Sequence, residues 1–552
     1  MSIITDRYLI LDCFVDEPAC FGVPPFLAPY PRYIFGALVD GGVTPDRIEY
    51  RTIDSVRSSE YSIPDNFSAV FLIGGAVVPG KYLASRIGSI AEIEKIIRSN
   101  PGQHFIVGGL VSRAVTTPDN EFEAIQGDIE KRAHSLASGT DGSGARTVEE
   151  IARWSVLGAP MVTQHPDYPR IICEIETSRG CPRQSHCSFC SEGLIKRVEF
   201  RQNADIINEV DALINSGITR IRLGRQADIL QHGTGFTNFR KGFPMPEVNA
   251  VRELFSALKT RRERGNLELL NIDNGNPGTI VNFPEESALI LEAITDAVTP
   301  GDTIALGIES FDPAVIANNN LKVSPDEAVQ SIRMINRIGG KRVRGIPVLL
   351  PGINLIQGLA NESSDTFRIN YEWLKIILGE GLLVKRINIR KLLPFPGTPL
   401  YNNRPRSGRQ VLNRFEYYRS VIRKEIDISM LKMIYPAGTI LPRAQVVENQ
   451  GSYSYARQIA SYAITAKVPL GLKQGSFLDL VVTGHRERSI SALPFPIDMN
   501  SLPQTALEQI PGIGKKKASQ IVLGRPFNRL SDIRHLVDSV DAVISDSMIF
   551  LR

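Results

Sequence analysis

The sequence predicts a multidomain α/β protein, and three observations carry that prediction. Its 552 residues exceed what a single hydrophobic core serves. Short apolar runs alternate with helix-compatible stretches from the N-terminus to about Tyr401, the pattern of parallel strands joined by helices. Beyond that point the pattern gives way to Gly-rich β segments and then to a helical C-terminus. Four parts are expected: a doubly wound α/β domain over 1–150, a complete or partial (β/α) barrel over 165–425, a small β-barrel or sandwich over 430–495, and a helical hairpin over 500–552.

Each part rests on its own residues. In the first, YLILDCF, SAVFLIGGA and HFIVGGL read as strands with Gly pairs at strand ends, and IAEIEKIIRS reads as an amphipathic helix. The charged, Gly/Ser-rich stretch 131–150 reads as a surface connection. From Ile171 onward, RIICEIET, ITRIRLG, LELLNI, TIALGIE, GIPVLL and RINIRKLLPF are strand candidates, with helices such as DEAVQSIRMINRI between them. Such a barrel works at the C-terminal ends of its strands, where every motif below falls. The helical LNRFEYYRSVIRKEID leads to the β-rich YAITAKVPL and SFLDLVVTG, and a turn at Pro511-Gly512-Ile513-Gly514 divides the C-terminal helices. No internal repeat or low-complexity tract is found.

Hydrophobic content of 43% and charged content of 22% fit a soluble globular protein. The opening MSIITDRYLILD mixes charges with apolar residues and reads as a first strand rather than a secretory signal. No apolar run is long enough to span a bilayer, so no membrane partner is expected. The net charge of +4 permits a nucleic-acid partner without arguing for one.

Six cysteines are too few for a disulfide framework in so long a chain. Three of them, Cys181, Cys187 and Cys190, crowd into ten residues directly after a strand, which points to metal in a reducing cytoplasm. Three thiolates there can ligate three irons of a cubane cluster and leave the fourth iron open to a ligand. The alternative is a structural zinc site completed by His186 or a distant residue, although no second ligand pair follows. Cys13, Cys20 and Cys173 read as buried small hydrophobes.

The run Thr177-Ser178-Arg179-Gly180-Cys181-Pro182, closed by Cys187-Ser188-Phe189-Cys190, resembles the cluster loop of radical S-adenosylmethionine (radical SAM) enzymes, with the aromatic Phe189 before the last cysteine. The resemblance implies a [4Fe–4S] cluster on Cys181, Cys187 and Cys190 as the catalytic centre. It also implies S-adenosylmethionine bound through its amino and carboxylate groups to the open iron and cleaved to a 5′-deoxyadenosyl radical. The first gap departs from the family, with five residues where three are usual. Leu223-Gly224-Arg225-Gln226 resembles the family's glycine motif near the methionine amino group, where backbone must approach ligand without a Cβ in the way. Leu306-Gly307-Ile308-Glu309-Ser310-Phe311, with Asn319-Asn320-Leu321-Lys322, resembles a strand and helix of the branch containing methylthiotransferases and cobalamin-dependent enzymes. Pro394-Phe395-Pro396-Gly397-Thr398-Pro399-Leu400-Tyr401 resembles the end of that branch's barrel. Phe189, Gly224, Arg225, Gln226 and Glu309 are then expected around the cofactor; for Glu309, a helix-capping or ion-paired carboxylate is the alternative.

The first domain resembles the flavodoxin-like, cobalamin-binding-like domain of such enzymes through Gly22-Val23-Pro24-Pro25, Gly108-Gly109 and Gly127-Asp128-Ile129-Glu130. It lacks the D-x-H-x-x-G loop, and neither His104 nor His134 stands in that pattern. Either cobalamin binds without a protein ligand or the fold has outlived the cofactor; the second is favoured. Cys13 and Cys20 cannot supply the second three-cysteine cluster of methylthiotransferases. Region 430–495 resembles their appended RNA-binding barrel, with a structural cap as the alternative.

Gly512, Ile513, Gly514, Lys515, Lys516 and Lys517 resemble a helix-hairpin-helix motif, whose exposed N–H groups and lysines suit a phosphate. A protein contact is the alternative there. The expected activity is radical modification of a nucleic acid, RNA favoured, by methyl or methylthio transfer or another C–H functionalisation, in the cytoplasm, with ferredoxin or flavodoxin as electron donor. A cobalamin-dependent radical methylase of a small metabolite and a non-catalytic nucleic-acid-binding protein with a structural metal are the competing classes.

Overall fold

The computed structural model describes all residues except 1–5, 15–25, 76–85, 118–121, 143, 196, 404, 406–407, 461, 538–548 and 551–552. The chain forms two compact units, residues 1–299 with 391–404, and residues 300–390 with 405–552. The division runs through the predicted (β/α) region.

In the first unit, the apolar runs YLILD and AVFLI are buried along their whole length, as strands covered on both faces must be. They are β1 (Tyr8–Asp12) and β3 (Ala69–Ile73), which with β2 (Ile48–Thr52), β4 (Phe105–Gly108) and β5 (Phe122–Ala124) make a parallel sheet of order β2-β1-β3-β4-β5. That order is one of the two common doubly wound arrangements. Leu9, Leu11, Val70, Leu72 and Val107 pack with Ile93, Ile96 and Ile97 of the helix Ile90–Ser99, which opens on a Ser89/Glu92 capping box. The stretch 131–150 is not the surface connection its composition suggests. Most of it lies in the helices Ile129–Ser138 and Val148–Leu157, and Arg146 between them is 3% exposed. The Gly/Ser content hid this because Arg146 is held inside by charge pairing, which composition does not record.

A second parallel sheet follows, formed by β6 (Ile172–Glu176), β7 (Arg220–Gly224) and β8 (Leu269–Ile272) in the order β8-β7-β6, with Phe26–Leu27 added beside β6. Strand alternation sets the charged side chains Glu174 and Arg222 side by side, 3.7 Å apart, and Arg222 also pairs with Asp273 just past β8. All three are at most 8% exposed, and charges buried so deeply need such partners.

In the second unit, β9 (Asp302–Glu309), β10 (Leu349–Gln357) and β11 (Arg386–Lys391) are neighbours in one sheet. The strand expected at GIPVLL in fact runs Leu349–Gln357. Pro351 within it sits in register with Ile304, and its carbonyl accepts the Lys385 N–H at 2.9 Å. A closed barrel of order β12-β13-β14-β16-β15 follows, from β12 (Ile440–Gln450), β13 (Tyr453–Arg457), β14 (Thr465–Val468), β15 (Phe477–His485) and β16 (Ser489–Pro494). The helices Gln504–Leu507 and Lys515–Leu523 come next, and Ile510, Ile513, Ala518 and Ile521 join Val481 and Leu493 of the barrel in one apolar cluster. Among the described residues no helix is long and apolar enough to cross a membrane.

Candidate functional site

The cysteine loop leaves β6 at Glu176, runs through the short strand Ser178–Arg179 paired with Glu199–Phe200, and turns at Gly180. Gly180 has φ +78°, a left-handed conformation that a side chain would strain. Its N–H donates to the Glu192 carboxylate at 3.2 Å. The loop is pinned at further points: Gln184 N–H to the Gly242 carbonyl at 2.9 Å, Cys190 N–H to the Cys187 carbonyl at 3.2 Å, and Leu400 N–H to the Ser188 carbonyl at 2.9 Å. The two extra residues of the first gap therefore lie in a tethered turn. The Pro394–Tyr401 segment, expected only to close the barrel, buttresses this loop.

Cys181 and Cys190 are half-buried and Cys187 is buried; none of the three is in a disulfide. Arg183 donates to the Cys187 sulfur at 3.7 Å while its guanidinium lies 5.2 Å from the centre of the Phe243 ring. Three thiols on one tethered loop, with a cation at one sulfur, fit an anionic iron–sulfur cluster. Among the described residues no three Cys, His, Asp or Glu side chains gather closely enough to share one ion. His186, the fourth ligand of the zinc alternative, has Nε2 3.2 Å from the Cys181 carbonyl.

Gly224 ends β7 against Glu174: a Cβ there would lie 2.1 Å from Glu174 Oε1. Gln226 is 3% exposed, donates to the Leu223 carbonyl at 3.3 Å, and its Oε1 meets no protein donor. Arg225, expected to line the cofactor pocket, reaches the Tyr30 hydroxyl at 3.3 Å and stacks over that ring. Phe189 is half-buried beside Cys190. These residues share the first unit with the cysteines.

Glu309 belongs to the second unit, at the end of β9, with φ +69°. Burial pushes its carboxyl up to about 6, against the pull of Lys322 and Arg390. It caps no helix, a role taken by Asp312, which accepts from Ala314 N–H at 2.9 Å. Its Oε2 has no hydrogen-bond partner in the protein, an unusual state for a buried carboxylate. At the C-terminal turn, Gly512, Gly514, Lys515 and Lys516 are exposed, Lys517 is half-buried, and Ile513 is buried in the apolar cluster, which leaves only its backbone to face a partner.

In the first domain His104 precedes β4, at the end opposite the strand termini where such sheets bind ligands, and lies 3.6 Å from Glu123. His134 lies 3.4 Å from Asp40 and packs on Trp154. Cys13 is buried, while Cys20 and the Gly22–Pro25 motif fall outside the described residues. Arg183, Glu192, Arg146 and Asp128 were not singled out individually by sequence reasoning. A strand that alternates Glu with Cys and Ile, as CEIE does, was the available signal that buried charges need partners nearby.

Comparison with known proteins adds four findings. Residues 175–357 match the family model described as "Radical SAM superfamily". An uncharacterised protein of Archaeoglobus fulgidus is 35% identical over 526 residues, covering 94% of this chain and 95% of that one. An uncharacterised protein of Methanocaldococcus jannaschii is 36% identical over 514 residues, covering 88% and 92%. Among solved structures, the radical S-adenosylmethionine methyltransferase TsrM of Kitasatospora setae, determined with cobalamin and a [4Fe–4S] cluster, superposes with a TM-score of 0.47 at 14% identity, over 72% of this chain and 77% of that one.

Proposed function

The chain belongs to the radical SAM superfamily, in one family with the Archaeoglobus and Methanocaldococcus proteins, and we propose that Cys181, Cys187 and Cys190 hold its [4Fe–4S] cluster for the modification of a nucleic acid. The observation that carries the site is the tethered loop of three cysteines, none of them in a disulfide, inside the matched segment. When bound and reduced, the cluster supplies the electron that cleaves S-adenosylmethionine. The chain's own residues do the rest: Gly224 keeps β7 free of a side chain, Gln226 offers an unmet acceptor to a ligand donor, and Arg183 places positive charge at a cluster sulfur. Burial raises the Glu309 carboxyl to about 6, so its buried, unpartnered oxygen is suited to accept a hydrogen bond from a polar ligand group.

The substrate reading rests on the C-terminal hairpin, where exposed Gly512, Gly514, Lys515 and Lys516 offer N–H groups and charge to a phosphate backbone. RNA is the favoured substrate, with methyl or methylthio transfer or another C–H functionalisation as the outcome. Anaerobic reconstitution, iron and sulfide counting, and assay of 5′-deoxyadenosine under reductant test the site beside Cys190→Ala. Cluster and cleavage in the wild type, both lost in the variant, are expected; zinc instead of iron would overturn it. Protein incubated with total RNA and methyl-labelled S-adenosylmethionine tests the substrate, and label found only on small metabolites would reject it.

A further inference from the structure

Building on the cluster reading for Cys181, Cys187 and Cys190, we infer that Asp128, Arg146 and Tyr30 of the N-terminal sheet domain are positioning residues for that site, holding the three chain segments that approach it. The first is the entry to the cysteine loop. Arg179, two residues before Cys181, donates to Asp128 Oδ1 at 2.6 Å, and Asp128 Oδ2 accepts the Arg146 N–H at 2.9 Å. The second is the end of β6. Glu176 is ion-paired to Arg146, which also pairs with Glu130, and accepts the Tyr30 hydroxyl at 3.2 Å. The third is the segment after β7, where Arg225 donates to that same Tyr30 oxygen at 3.3 Å. Tyr30 thus joins two strand ends, and Asp128 joins Arg146 to the loop.

Two guanidiniums, of Arg146 and Arg179, pair with three carboxylates, of Asp128, Glu130 and Glu176, and Arg225, joined to Glu176 through the Tyr30 hydroxyl, brings the formal charge of the set to zero. Asp128 is 7% exposed, Glu130 2%, Arg146 3% and Glu176 1%. Buried ion pairs add little net stability compared with apolar packing, so stability alone does not account for six charges here. Their geometry does, because the Arg146 guanidinium forks, Nη1 to Glu130 and Nη2 to Glu176, and a planar fork held at two points fixes direction as well as distance. A neighbouring set supports the same strand: Arg32 donates to the Glu174 carbonyl and Arg201 to the Glu176 carbonyl at 3.1 Å, and both pair with Glu209. The Gly127-Asp128-Ile129-Glu130 run is placed by this network. The N-terminal domain is thereby a frame for the cluster loop, whether or not it binds a cofactor of its own.

The test uses the full chain with Asp128→Asn, which keeps the shape and removes the charge, and Arg179→Lys, which keeps the charge. Hydrogen exchange on cluster-free protein comes first. In Asp128→Asn, amides of 177–200 should exchange roughly tenfold faster, the effect of one lost charge-assisted bond, while β3 and β4 keep wild-type rates; Arg179→Lys should fall between. On reconstituted protein, Asp128→Asn should keep wild-type iron content but raise the KM for S-adenosylmethionine and alter the electron paramagnetic resonance change that S-adenosylmethionine causes in the reduced cluster. Unchanged exchange over 177–200 would overturn the inference, as would equal acceleration across the whole domain, which is loss of fold rather than of positioning. A wild-type protein that takes up no iron would refute the cluster reading, while the exchange arm would still decide whether Asp128 holds the loop.

Discussion

Arg183 Nη1 lies 3.7 Å from Cys187 Sγ and donates to it, which sets a cation against a proposed cluster ligand. A hydrogen bond to a ligating sulfur, and more so a charged one, stabilises the reduced and more negative cluster. Arg183→Ala should leave iron content near wild type. It should make the reduction potential more negative by on the order of 50 mV, the one-electron equivalent of about 1 kcal/mol. Spectroelectrochemical titration reads this directly, and an unchanged or more positive potential would contradict it.

Gly224 leaves no room for a side chain. A Cβ would press to 2.1 Å on Glu174 Oε1, and Glu174 is itself held beside Arg222 within the buried pairing that includes Asp273. Gly224→Ala must therefore displace a charged group that has nowhere solvated to go. It should cost about 1–3 kcal/mol of stability, the range for overpacked interiors, and weaken S-adenosylmethionine binding more than proportionately. Urea unfolding and equilibrium binding check the two parts, and a variant as stable as wild type would show that the strand end yields.

Glu309 gives a pH dependence with a definite sign. Its folded-state value of about 6 lies above the ordinary 4.5, so the folded protein binds this proton more tightly than the unfolded chain does. The contribution is complete below about 4.5 and is lost as the pH rises through about 6. Glu309→Gln mimics the protonated form. It should match the wild type near pH 4.5 and exceed it at pH 7 by roughly 2 kcal/mol, from a displacement of about one and a half pH units. Unfolding at the two pH values measures the difference, and a stability gap independent of pH would exclude the assignment.

The parallel strands of both units were legible because buried strands are runs of Val, Ile and Leu, as YLILD and AVFLI are. The strand Ile440–Gln450 was not singled out, since ILPRAQVVENQ mixes Pro, Arg, Glu and Asn in a barrel wall that is wet on one side. The cysteines were legible as a cluster because their spacing is local. The supports of their loop were not, because Glu192, Gly242, Leu400 and Asp128 reach it from separate stretches of chain. The same limit explains Arg225: its place after a strand-end glycine suggested a ligand contact, whereas Tyr30, almost two hundred residues earlier, takes its guanidinium.

The C-terminal turn supplies the remaining prediction. Ile513 and Ala518 anchor it to the barrel through the apolar cluster, so substituting the lysines between them leaves that anchor intact. Lys515 and Lys516 are exposed, and Lys517 is half-buried. Each lysine that neutralises a phosphate releases condensed counterion, which steepens the fall of affinity with salt by about 0.7 per neutralised phosphate on single strands. Replacing Lys515, Lys516 and Lys517 by Ala should therefore weaken RNA binding and flatten the plot of log affinity against log salt by roughly 1.4 to 2, as two or three phosphates keep their counterions. Thermal unfolding should stay near wild type. A lower affinity with an unchanged salt slope would mean that these lysines support the hairpin rather than touch phosphate. Unchanged affinity would move any nucleic-acid contact to the barrel surface.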